Sequence, residues 1–228
     1  MNQLGIWDDW NGMLHVFFDP AETVQRADRT LFWVWPFLLA SAAGIATELR
    51  LAPIALRVLQ TNPPLGFSAD DLQPILDVVG QILWAGAFLS PILLAVKLFG
   101  IACVIVWTCK LMKIPVKLLA VFNLVAACSL IRAIEDIASY SLVRARMGGL
   151  HSLGQLQASF CLDALLPHAW SPVLMATLNF FSIFEIWYLA ILVLGVSYLA
   201  RCSTGRAFGA ITLVWAPSFA FAVLSALV

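Results

Sequence analysis

Charge is scarce in this chain. Asp, Glu, Lys and Arg make up 11% of its 228 residues, hydrophobic residues 62%, and the mean hydropathy is +0.93. A soluble domain carries about 25% charged residues. So few polar groups cannot cover a globule in water, and part of the solvent must be lipid. The charges also cancel to a formal net +0, which leaves no basic footprint for nucleic acid. Histidine is limited to His15, His151 and His168, too scattered for a metal site. The five cysteines (Cys103, Cys109, Cys128, Cys161 and Cys202) are an odd set without repeated spacing, neither a disulfide framework nor a zinc pattern. Cys103, Cys109 and Cys128 lie in apolar runs and read as small core residues. No glycine-rich phosphate loop and no G-x-S-x-G elbow occurs. The expectation is a non-catalytic protein without cofactor or metal.

The first thirty residues lack the basic start and apolar run of a cleaved signal. They hold Asp8, Asp9, Asp19, Glu22 and Asp28 instead, so the first span is expected to act as the insertion signal.

What the chain does have is long apolar runs. A crossing needs about 20 such residues, and five stretches qualify: about 31–49, 82–109, 118–138, 180–200 and 207–228. The expected fold is an all-α integral membrane protein. Residues 1–30 form a cytoplasmic amphipathic segment, and 31–228 form a membrane domain of five helices. Long connections are expected over about 50–81 and 139–179, the second containing a short surface helix near 155–166. The short loops are KLMKIPVK and RCSTGR. Lys and Arg gather on the cytoplasmic side of membranes. An inside N-terminus puts Arg26, Arg29, Lys110, Lys113, Lys117, Arg201 and Arg206 there, seven against Arg50, Arg57, Arg144 and Arg146 outside. The C-terminus then lies outside.

In the lead-in segment, Asp19-Pro20-Ala21-Glu22 is a helix start: Asp19 caps, Pro20 suits the first helical position, and Glu22 reaches back to the cap. The apolar patch before it (Trp10, Met13, Leu14, Val16, Phe17 and Phe18) reads as a membrane-surface anchor rather than a docking site for a soluble partner.

F-F-D-P-A-E-T-V, the Trp35-Pro36 pair, N-F-F-S-I-F-E-I-W, L-V-L-G, S-T-G-R-A and Trp215 together resemble the Yip family, the Ypt/Rab-GTPase-interacting membrane proteins, in its short bacterial form. The resemblance covers about residues 15–228. It implies five helices, a cytoplasmic N-terminus, and an organising or adaptor role in membrane or protein trafficking. The longer N-terminal region and D-L-Y-G-P type motif of eukaryotic members are missing here, so a GTPase partner is not carried over. The implied partners are the bilayer and other membrane proteins or further copies of the chain. The implied location is the cell (inner) membrane, with a Golgi or ER membrane as the alternative.

Five ionisable groups fall in the wrong solvent: Lys97, Arg132, Glu135, Asp136 and Glu185. A charge at mid-span costs roughly 2.5–3.5 kcal/mol on insertion scales. Arg132, Glu135 and Asp136 are three and four residues apart, within reach of one another on a helix. Glu185, in a span that starts on the same side, lies at a depth similar to Arg132. The expectation is a polar contact that holds the third and fourth spans in register, worth about 1 kcal/mol net. The competing reading makes the cluster the site of a small transporter or lipid-moving protein. Lys97 either snorkels inward, or the second span shifts so that 78–96 crosses. Pro36, Pro91 and Pro217 are candidate kinks. Ala40-x-x-x-Gly44 and Gly205-x-x-x-Gly209 are candidate close-packing faces.

Overall fold

The computed structural model describes residues 15–17, 21, 23, 32–62, 69–145 and 182–225. A single 3-10 turn, His15–Phe17, precedes five α-helices: α1 (Val34–Thr61), α2 (Ala69–Leu111), α3 (Leu118–Ala145), α4 (Ile183–Ala200) and α5 (Thr204–Ser225). No strand occurs among the described residues. Four helical stretches are long and apolar enough to cross a membrane: Val34–Thr61, Gln73–Leu111, Leu118–Ala145 and Ile183–Ala200. The fifth expected crossing corresponds to α5, a helix of 22 residues.

The described residues fall into two compact units. The first lies within Met1–Ala40, Ala95–Arg132 and Phe160–Val228, the second within Ser41–Leu94 and Ala133–Ser159. In the first, the 121–131 stretch of α3 is almost entirely buried, and Ile105, Leu192, Val196 and Ile211 are buried core residues as well. Trp33 and Phe99 both meet the Phe122 ring edge-on, at 5.6 and 6.3 Å. In the second, Ile54, Val58 and Val143 form a small core flanked by Leu51 and Tyr140.

Large apolar side chains lie on the outside. On α2, Ile82, Trp84, Phe88, Ile92, Val96 and Trp107 are all more than half exposed. Such a surface would drive aggregation in water and is the surface a helix presents to lipid. The contrast with α3 is large: 67% of its apolar window is buried, against 17% for α2. Of the three cysteines expected in the core, Cys109 and Cys128 are buried, while Cys103 is only half-buried.

Several helix boundaries differ from expectation. The connection expected over 50–81 is mostly helix, because α1 runs on to Thr61 and α2 starts at Ala69. Arg50, Arg57 and Pro53 end the lipid-compatible run but not the helix. Leu, Ala, Arg and Gln in LRLAPIALRVLQ are good helix formers, and Pro53 removes only one backbone bond of the ladder. Likewise α3 continues past Asp136 to Ala145. At 43 residues, α2 is about 65 Å long, twice a hydrocarbon core of about 30 Å. It therefore extends beyond the bilayer interior whichever window crosses.

The two short loops fall where expected. Both α2 and α4 stop on a cation in left-handed backbone, Lys113 at φ 56° and Arg201 at φ 49°. The Ile114 N–H then donates to Cys109 O at 2.8 Å and the Cys202 N–H to Ser197 O at 3.1 Å, the six-to-one bond of a Schellman motif. Arg206, from the first turn of α5, donates to Met112 O at 3.0 Å and so covers a carbonyl at the end of α2.

The proposed cap residues Asp19 and Glu22 and the surface helix near 155–166 lie outside the described residues. Of the lead-in segment, Val16 is completely buried, and the half-buried Phe17 ring lies 5.6 Å from the Trp187 ring at a tilt of 53°.

A candidate polar lock between α3 and α4

The first unit holds one buried carboxylate with a full set of partners. Glu185 sits in the first turn of α4, where Ser182 caps the helix: its backbone is extended, and its Oγ accepts from the Glu185 N–H at 2.9 Å. The S-x-x-E spacing is a capping signature in the sequence. The helix starts at Ile183 rather than near 180, so Glu185 falls in its first turn. An acidic group in the first turn also faces the positive end of the helix dipole.

The Glu185 side chain turns away from the cap. One carboxylate oxygen, Oε2, forms an ion pair with Arg132 Nη2. The other, Oε1, accepts from the Trp215 indole N–H on α5 at 2.6 Å. Glu185 is only 7% exposed, while the Arg132 side chain is 38% exposed. The pair is thus asymmetric: the carboxylate is desolvated and the guanidinium reaches the surface. Tyr188, one turn after Glu185 and buried, lies under the Arg132 guanidinium at 5.1 Å and against the Trp215 ring at 5.8 Å. A guanidinium over an aromatic face gains a cation–π contact. One helix from each of α3, α4 and α5 therefore supplies one member of the Arg132–Glu185–Trp215 set.

Elsewhere on α3 and α4, a leucine side chain packs directly against a glycine. A Cβ built on Gly195 would lie 2.5 Å from Leu124 Cδ1, and both residues are buried. A larger residue there would require the Leu124 side chain to move. Within the chain, the other small-residue spacings show looser surroundings: Gly44 and Gly205 have nothing within 4 Å, and Gly209 meets the Met112 side chain at 3.4 Å.

Of the five sequence candidates, the structure brings Arg132 and Glu185 together. Glu135 is half-buried and Asp136 exposed, one turn further along α3. Lys97 is exposed on α2 and forms no ion pair among the described residues. Sequence reasoning missed Ser182, Tyr188, Gly195 and the indole of Trp215 as a partner. The signal for Trp215 was present: a buried indole N–H needs an acceptor, and the 207–228 run contains no charged residue. Among the described residues no group of three or more His, Cys, Asp or Glu side chains could hold a metal ion.

Comparison with family models, with curated proteins and with solved structures gives no match.

Proposed function

We propose that this is a non-catalytic, five-span integral membrane protein of Yip type with an organising or adaptor role in the membrane. In this reading α5 is the fifth crossing, the N-terminus is cytoplasmic, the C-terminus lies on the opposite side, and the host is the cell (inner) membrane. The observation that carries the non-catalytic part is the occupancy of Glu185. Both its oxygens are taken by protein donors, Arg132 and Trp215. A carboxylate so engaged is suited to fastening helices and poorly suited to exchanging a proton or an ion. The alternative, a small transporter or lipid-moving protein working through Arg132, Glu135, Asp136 and Glu185, would gain from a Lys97 turned toward the cluster. Lys97 is exposed instead.

The test is proximity labelling in cells from an enzyme fused ahead of Met1, in wild type and in the double variant Arg132→Met/Glu185→Met. The adaptor reading expects a reproducible set of membrane-protein neighbours that the apolar double variant retains. An empty neighbour set, or a set that collapses while the variant protein stays abundant, overturns it.

A further inference from the structure

The second unit contains a groove of about 780 Å³, within the range of about 300–1,000 Å³ usual for ligand sites. It is built from one face of α1 and the end of α3. Arg50, Arg57 and Arg144 line it, together with the apolar Leu49, Pro53 and Leu56. Arg50 and Arg57 are two helical turns apart, about 10 Å along the axis. Behind the groove, Ile54, Val58 and Val143 form the core that fixes its floor. Tyr140 packs on that core and lies beneath the Arg50 guanidinium at 6.0 Å.

Among the described residues, no acidic side chain lines the groove, and none of its three arginines forms an ion pair. Like charges drawn into one concave site repel one another unless a counter-charge arrives. The rest of the lining is chiefly hydrocarbon. The site is therefore amphipathic: guanidinium groups, which suit the bidentate recognition of phosphate, beside a wall that suits an acyl chain. In sequence, the three arginines follow the apolar part of α1 and of α3, at the level where a chain leaves hydrocarbon for headgroups.

We propose that this groove binds a phosphate-bearing anionic membrane lipid, with the headgroup on Arg50, Arg57 and Arg144 and the chain along the Pro53 and Leu56 wall. The proposal rests on the membrane reading of the chain and not on its adaptor role. Charge complementarity selects the headgroup, and the apolar wall selects a lipid over a free anion.

The test is native mass spectrometry of the full chain released from detergent, titrated with phosphatidylglycerol and with phosphatidylcholine of the same acyl chains. Wild type is expected to prefer the anionic lipid by about tenfold or more, since each cation near a headgroup contributes appreciably. The triple variant Arg50→Gln/Arg57→Gln/Arg144→Gln is expected to lose that preference. Lys110→Gln, which removes a cation outside the groove, is expected to keep it. Should the triple variant fail to fold, Arg57→Glu alone carries the test, with a drop in preference of about threefold or more expected. Excess inorganic phosphate is expected to leave the lipid in place; displacement would overturn the lipid in favour of a simple anion. A wild type without preference, or a folded groove variant that retains it, overturns the site. If that wild type still requires detergent for extraction, the membrane reading stands apart from the failed site.

Discussion

Four arginines on α1 and α3 divide by what faces them. Arg132, in the first unit, meets a phenol ring and a buried carboxylate that an indole also holds, so its charge is used within the protein. Arg50, Arg57 and Arg144, in the second, line a groove with no acid in its wall among the described residues. The same side chain serves closure in one place and is left open to a ligand in the other. The difference is set by the neighbours rather than by position in the apolar pattern, since Arg132 and Arg144 lie on a single helix three turns apart.

The comparison breaks if Arg132 proves dispensable. Arg132→Ala strands the Glu185 carboxylate in a dry site and is expected to lower stability by about 2–3 kcal/mol. That is below the 3–5 kcal/mol typical of fully buried pairs, because the guanidinium is 38% exposed. Tryptophan-fluorescence melts in detergent read this directly, and a wild-type melting curve would end the idea of a lock. Arg132→Met/Glu185→Met, which removes both charges, is expected to recover most of the loss.

Gly195→Val tests the packing of Leu124 against that glycine. Its branches would strike Leu124, at an expected cost of about 1–3 kcal/mol, and Leu124→Ala in the same chain should relieve part of it. If the two substitutions simply add, the contact is not the constraint described here. Trp215→Phe keeps the ring and removes the donor to Glu185. A loss of about 1.5 kcal/mol is expected for a hydrogen bond to a charged acceptor, seen as a lower melting temperature with unchanged monodispersity on size-exclusion chromatography. The smallest effect belongs to the other unit. Arg57→Gln is expected to move stability by no more than about 0.5 kcal/mol, and a larger loss would show that the groove arginines are structural after all.

Much of this arrangement was legible in the residues. Leu118, Ala200 and the two short loops lie within a few residues of where hydropathy puts them, because there the apolar run and the helix end together. The level shared by Arg132 and Glu185 followed from counting depth in two spans that start and end on one side. Hydropathy failed along 50–61 because it reports where lipid must end, whereas backbone propensity decides where a helix ends. It also could not select Gly195 over Gly44 or Gly205, since a glycine next to a partner helix and one next to open space look alike in one dimension. The groove joins Arg57 to Arg144 across 87 positions of chain, and Trp215 reaches Glu185 across 30. No local pattern encodes separations of that kind.

The left-handed turns at Lys113 and Arg201 give two residues a double duty. Glycine would adopt that backbone with about 1 kcal/mol less strain, so evolution of a less strained corner has an easy route. In the N-in orientation proposed above, taking it would erase two of the seven cations on the cytoplasmic side. In that reading the terminator of each helix and the signpost for translocation are one and the same side chain, and a variant made by relaxing both corners would be at risk of inserting upside down.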